Sequence, residues 1–238
     1  MLVIKKFIDK YIVQSKELKE ELIKEGFKAE KIFIIPNGVD VNKFFPLKEE
    51  EKNDLKKRLS LNFNVIVNYT GRLNRYKGVL DLIDAFIDLK KQNTALLILG
   101  EGELQLEIER IARERKLDNV ILKGIVSNPE DYYKISDIFV LPSYGEGMSN
   151  ALLEAMASGL LCIVTDIGGN NELIEDGING FLFNPGDRNK LKKILEDVLE
   201  GRVEIESLKK RAREKIVNKY NLEKILGMYY KLIKAGVV

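Results

Sequence analysis

Two glutamates separated by seven residues, Glu146 and Glu154, flank the passage from a glycine-bearing loop into an apolar segment. The loop reads Pro142-Ser143-Tyr144-Gly145-Glu146-Gly147-Met148-Ser149-Asn150, and the segment Ala151-Leu152-Leu153-Glu154-Ala155-Met156-Ala157. Glycines around Glu146 leave the backbone open to close approach, and Ser149 or Asn150 can cap the helix that the apolar run predicts. The first amides of that helix are free to hold an anion, and Glu154, one turn past Asn150, stays on the same face. The result is an anion site between two carboxylates, which suits a ligand with phosphate in its middle and hydroxyl groups at both ends, as in a nucleotide sugar. The alternative is that both carboxylates are solvated or ion-paired. Glu154, set among Leu152, Leu153, Ala155, Met156 and Ala157, needs a partner if buried.

A second loop, Gly71-Arg72-Leu73-Asn74-Arg75-Tyr76-Lys77-Gly78, brackets three cations with glycines where a strand gives way to a helix. Arg can grip phosphate oxygens with two parallel hydrogen bonds and Lys adds a mobile charge, so this loop reads as a phosphate site or as a solvated basic turn. It lacks the Gly-x4-Gly-Lys-Ser/Thr order of a P-loop. Leu99-Gly100-Glu101-Gly102-Glu103 holds Gly-x-Gly, but its glutamates would repel a pyrophosphate and a third glycine is absent, so it reads as a structural turn. Asp166-Ile167-Gly168-Gly169-Asn170-Asn171-Glu172 supplies a third glycine-rich loop with a free helix start.

The elements that must carry these loops follow from periodicity. Short β-branched runs at 65–69, 95–99, 120–122, 138–141, 162–165 and 181–183 predict buried strands. Between them lie amphipathic segments such as Val79, Leu82, Ile83, Phe86 and Leu89, or Leu104, Ile108, Ile111 and Ala112. Strands alternating with helices predict a doubly wound α/β domain with a parallel sheet and ligands at the carboxyl ends of its strands. Residues 1–35 read as helix, strand, helix, strand, with Ser15 as N-cap and Gly26 as helix stop; Pro36-Asn37-Gly38 breaks the chain, and 48–58 reads as a solvated helix. The end is helical, with Leu222, Ile225, Leu226, Tyr229 and Ile233 on one stripe, exposed or covered by residues 1–26.

Composition removes whole reaction classes. Of 238 residues none is His and one, Cys162, is Cys, so disulfides, Cys/His zinc sites and His-dependent nucleophile pairs are excluded. Cys162 reads as a small core residue. A formal net charge of +2 gives no whole-protein field for nucleic acid. No signal peptide and no spanning run are visible, and the cytoplasm is the expected compartment.

The motifs together resemble the donor-binding half of the family 4 retaining glycosyltransferases of the GT-B fold. The resemblance rests on Gly71-Arg72-Leu73 with Lys77-Gly78; Leu141-Pro142-Ser143 with Glu146-Gly147; Leu153-Glu154-Ala155-Met156-Ala157 with Gly159; Gly168-Gly169 with Glu172-Leu173-Ile174; and Gly177 with Gly180-Phe181-Leu182. Upstream, Ser15, Gly26 and Ile35-Pro36-Asn37-Gly38-Val39-Asp40, running on to Phe44, are similar to the end of that family's first domain and its linker. Leu161 stands where the family often has Pro.

The resemblance implies a C-terminal Rossmann-like half with extra C-terminal helices. Residues 1–40 are then the remnant of an N-terminal acceptor domain and the linker, 41–200 the nucleotide-sugar domain, and 201–238 helices that pack toward an absent domain. Arg72 and Lys77, at the end of the loop begun by Gly71, are expected to hold the donor diphosphate. Glu154 is expected on the ribose hydroxyls and Glu146 on hydroxyls of the transferred sugar. Amides of Gly147, Met148, Ser149 and Asn150 would reach sugar and phosphate, and Gly124, Ile125 and Val126 would border the base. Arg72, Lys77 and Glu146 are the expected catalytic group, and neither metal nor cofactor is expected. The implied partners are a UDP- or GDP-sugar, a glycan or lipid-linked acceptor and a separate acceptor-domain protein, with peripheral placement at the inner membrane face through that partner. The alternative is a non-catalytic sugar-nucleotide-binding or scaffold subunit of a split membrane-associated glycosyltransferase.

Overall fold

A computed structural model describes residues 10–234. A six-stranded sheet organises the chain, built from β3 (Val65–Thr70), β4 (Thr94–Leu99), β5 (Val120–Gly124), β6 (Ile138–Leu141), β7 (Leu161–Thr165) and β8 (Phe181–Phe183). All six predicted strands form. They pair in parallel in the order β5-β4-β3-β6-β7-β8, so the chain runs outward from β3 to β5, then crosses to the other side for β6. That reversal opens a crevice between the carboxyl ends of β3 and β6, the place where open parallel sheets bind ligands.

Alternation along the strands sorts the core into two faces. Val67, Tyr69, Leu96, Ile98, Val140 and Ile163 pack with α3 (Val79–Leu89), α4 (Gln105–Glu114) and α8 (Arg188–Leu199). Phe139, Leu141, Cys162 and Val164 face α6 (Asn150–Ala157), while Ile66, Leu97 and Leu99 face α2 (Glu49–Arg58) and the end of α5 (Pro129–Ile135). Both faces are covered, which is why the strands read as unbroken apolar runs. Cys162 is buried, as read, and burial pushes its thiol up. Leu161 is fully buried and its amide donates to the Asp137 carbonyl at 3.0 Å, a bond that a proline there could not make.

Helix α2 departs from the solvated helix expected at 48–58. Leu55 and Lys56 are buried, and the Lys56 ammonium donates to the carbonyls of Phe63 and Asn64 at 3.0 and 3.3 Å. Burial pulls its pKa down while Asp137 opposes the shift. Ahead of the sheet, β1 (Tyr11–Val13) and β2 (Ile32–Ile34) form a separate parallel pair around α1 (Lys16–Lys24). Ser15 caps α1 by accepting from the Leu18 amide at 3.1 Å, and Gly26 follows the helix at a φ of +85°. The helix expected before β1 falls on residues outside those described.

Of the C-terminal elements, α9 (Glu206–Lys219) packs against α6 and buries Leu208, Ala212 and Ile216. Helix α10 (Leu222–Leu232) is tied to the segment after β2 by Val39, whose amide donates to the Tyr220 carbonyl and whose carbonyl accepts from Leu222, both at 2.9 Å. A Cβ on Gly38 would lie 2.9 Å from the Leu222 Cα and from Ile225, so this segment passes too close for any larger residue. Ile225 is the one stripe residue that is buried; Leu226 and Ile233 are more than half exposed.

Candidate functional site

Backbone contacts bring the loops after β3 and β6 together. The Tyr144 amide donates to the Tyr76 carbonyl at 2.9 Å. Gly78 starts α3 at a φ of +65°, and a Cβ there would lie 2.0 Å from the Pro142 carbonyl oxygen. The loop after β7 closes the other side: the Thr165 hydroxyl donates to the Ser143 carbonyl at 2.7 Å, Asn170 donates back to Thr165 at 3.0 Å, and a Cβ on Gly169 would lie 2.0 Å from the Gly147 carbonyl. These glycines therefore serve loop packing before any ligand arrives. Gly100 and Gly102 do the same, crowding the backbone of Gly71 and Leu73, in keeping with the structural turn expected there.

The packing sets Lys77 and Glu146 together, with Nζ donating to Oε1 at 2.6 Å. Ser143 donates to the same oxygen at 2.8 Å, and the Glu146 side chain is only 10% exposed. Lys77 is held at its backbone by Asn74, whose side chain accepts from the Lys77 amide at 2.9 Å. Arg72 is exposed and pairs with no carboxylate among the described residues; its carbonyl accepts from the buried Tyr69 hydroxyl at 2.9 Å. Burial, with a contribution from Glu146, raises the Tyr69 pKa.

Across the crevice, Ser149 caps α6 by accepting from the Leu152 amide at 3.3 Å, which leaves the amides of Asn150 and Ala151 as the free helix start. Nothing lies within 4 Å of where a Gly147 Cβ would stand, so that position is open. Met148 is buried and its carbonyl accepts from the Asn37 side chain, in the segment after β2, at 3.1 Å. Glu154, the carboxylate that the sequence flagged, is half-buried between fully buried neighbours on α6. Burial raises its pKa and Glu130 adds to the rise, while Tyr133 and Lys43 oppose it. The Tyr133 hydroxyl faces Glu154 and Thr70 in full burial but makes no hydrogen bond of ordinary geometry.

Gly124, Ile125 and Val126 stand at the end of β5, two strands from β3, and so at the far edge of the crevice. Gly124 has a φ of +65° and accepts from the Gly100 amide at 2.8 Å; Ile125 is 75% exposed, and Val126 packs beneath. No hydrogen bond or ion pair joins Glu154 to Glu146 or Lys77 among the described residues. The structure thus places the expected site residues along one sheet edge and brings Lys77 and Glu146 into contact.

Beside that pair lies a cleft of 730 Å³, with Lys77, Glu146 and Gly147 on one wall and Ser15, Glu17 and Glu21 on another. Helix α1 is fixed there by its Lys16 amide, which donates to Glu172 of α7 (Gly168–Leu173) at 2.6 Å. Ser143 and Asn37 stand within the motifs, but the Ser143 bond to Glu146 and the Asn37 bond to Met148 do not follow from the motifs, and Tyr133 has no sequence signal because it meets Glu154 only across the fold. Tyr144 was quoted within its motif, but its anchoring bond to Asp81 at 2.7 Å was not foreseeable. Asp81 in turn accepts from Arg188 at 2.6 Å.

Comparison with known proteins agrees with this arrangement. Residues 49–215 match the family model described as glycosyl transferases group 1. Over 230 residues the chain is 36% identical to the Escherichia coli UDP-Gal:alpha-D-GlcNAc-diphosphoundecaprenol alpha-1,3-galactosyltransferase, covering 91% of this chain and 59% of that protein. It is 28% identical over 238 residues to the capsular polysaccharide biosynthesis glycosyltransferase CapM of Staphylococcus aureus, covering 94% of this chain and 62% of that one. HepE of Anabaena, solved with UDP and glucose, shares the fold at a TM-score of 0.85 and 23% identity, over 95% of this chain and 63% of that one. The chain spans about three-fifths of the length of the curated relatives it matches. No described helix is long and apolar enough to cross a membrane. On the strength of the family match and the fold it shares with solved glycosyltransferases, the chain belongs to the group 1 glycosyl transferases of the GT-B fold.

Proposed function

We propose that this chain binds a nucleotide-diphospho-sugar in the crevice between β3 and β6 and presents it for retaining, metal-independent transfer to an acceptor. The observation that carries the reading is the Lys77–Glu146 pair at 2.6 Å, a phosphate-seeking cation and a hydroxyl-seeking carboxylate held at the switch point of the sheet. Arg72, exposed on the same loop as Lys77 and without a carboxylate partner among the described residues, supplies the second cation for the diphosphate. As the sugar leaves, negative charge grows on the diphosphate; on this reading Arg72, Lys77 and the free amides at the start of α6 offset it. Glu154, deeper along α6, faces the ribose hydroxyls, and Glu146 and Gly147 the sugar. The 36% identical relative is named for UDP-Gal and a diphosphoundecaprenol-linked acceptor, which supports a UDP-sugar donor and a lipid-linked glycan acceptor here. Calorimetric titration with UDP, GDP and ADP, for wild type and Glu154→Ala, tests the reading: saturable binding of one nucleotide, weakened in the variant, supports it, and no binding to any of the three sinks it.

A second reading has the chain as a sugar-nucleotide-binding or scaffold subunit that works with a separately encoded acceptor-domain protein at the membrane. The exposed Leu222, Leu226 and Ile233 of the α10 region favour it. Donor hydrolysis or transfer by the purified chain alone would count against this reading.

A further inference from the structure

The amino ends of β6 and β7, on the edge of the sheet opposite the donor crevice, border a second cavity of 570 Å³. Five cations line it: Lys52 of α2, Lys134 of α5, and Lys209, Lys210 and Arg213 of α9. Two carboxylates, Glu49 and Glu206, share the wall. Partners for the cations are uneven. Lys52 meets Asp137 behind the wall and Lys209 meets Glu206 at 2.8 Å. The Arg213 guanidinium donates to the carbonyls of Ala157 and Phe44, which are neutral, and its burial pulls its pKa down. Lys134 lies 4.3 Å over the Phe45 ring, and Lys210 is exposed with no partner among the described residues. Setting Glu49, Glu206 and Asp137 against the five cations leaves two positive charges without a counter-charge in a concave, partly apolar space. A cavity lined mainly by one sign of charge concentrates counter-ions. A phosphomonoester carries about 1.5 to 2 negative charges at neutral pH, with three acceptor oxygens.

We propose that this cavity is a phosphate site, separate from the donor crevice, that binds a phosphomonoester group through Lys134, Lys210 and Arg213. The ligand bears a terminal phosphate, either on a small metabolite or on a lipid headgroup, and the site does not rest on the donor reading. Amide-resolved NMR titration with glycerol 3-phosphate reads the first source. Co-sedimentation with equimolar phosphatidic acid and phosphatidylcholine vesicles, against phosphatidylcholine alone, reads the second. The comparison is wild type with Lys134→Ala/Lys210→Ala, whose fold is checked by its melting curve and whose donor crevice is checked by unchanged UDP titration. Saturable shifts at residues 134–136, 158–159 and 209–213, or sedimentation specific to phosphatidic acid, are expected in wild type and should weaken about tenfold in the double variant. Shifts confined to the Arg72 and Lys77 loop, or binding in both arms equal for wild type and variant, would overturn the assignment.

Discussion

The Lys77 ammonium stands 2.6 Å from the Glu146 carboxylate, joining residues 69 positions apart at the point where the strand order reverses. Each group neutralises the other before any ligand is bound. On the proposed reading, donor binding draws Lys77 toward phosphate while the sugar hydroxyls take its place on Glu146. Removing one partner leaves a mostly buried charge unmatched.

Lys77→Met should accordingly lower both stability and UDP affinity. The stability loss should be about 1–3 kcal/mol, the range for a buried polar group deprived of its partner. Adding Glu146→Gln should recover most of that stability without recovering nucleotide binding. Chemical denaturation of the two single variants and the double variant, alongside calorimetry, gives the coupling directly. Additive stability changes would mean that the pair contributes nothing to the fold.

Two glycines should separate packing from binding. Gly78→Ala forces a side chain into a left-handed residue with the Pro142 carbonyl 2.0 Å away, so it should cost about 2 kcal/mol or more and disturb the crevice. Gly147→Ala meets nothing within 4 Å and should leave the melting temperature unchanged while weakening UDP-sugar binding. Equal melting temperatures for the two variants would contradict the close approach of the β3 and β6 loops.

Glu154→Gln should stabilise the free protein and weaken nucleotide binding together. The fold raises the Glu154 pKa through burial, so above that raised value the charged carboxylate detracts from stability. The neutral variant should therefore melt higher at neutral pH. Its advantage should disappear below the ordinary carboxylate pKa of about 4.3, where folded and unfolded chains both hold the proton. Thermal melts across that range, paired with UDP titrations, check both halves. A variant that melts lower at neutral pH would show that Tyr133 and Lys43 outweigh burial.

Much of this was legible because burial on both faces of a parallel sheet writes itself as continuous apolar runs, and because glycine-rich turns mark where strands hand over to helices. The six strands and the loops at 71–78 and 142–149 came from that pattern alone. What stayed hidden depends on which side chains meet across the fold. Tyr133 beside Glu154 and the buried Lys56 carry no local signal. The basic cavity was concealed for a related reason: a net charge of +2 counts charges without regard to place, whereas α2, α5 and α9 gather five cations on one edge of the sheet. Helix α10 shows the reverse effect, since a stripe read as one apolar face buries only Ile225 among its five residues.

The central claim is that a nucleotide diphosphate is held by Arg72 and Lys77 in the crevice. Calorimetric titration of UDP into wild type and into Arg72→Ala measures it most directly, because the exposed Arg72 side chain makes no hydrogen bond or ion pair among the described residues and its loss should spare the fold. Wild type should bind saturably at one site, and Arg72→Ala should bind at least about tenfold more weakly, the loss of a charge-assisted phosphate contact, at an unchanged melting temperature. Equal affinity in the two proteins would contradict the claim.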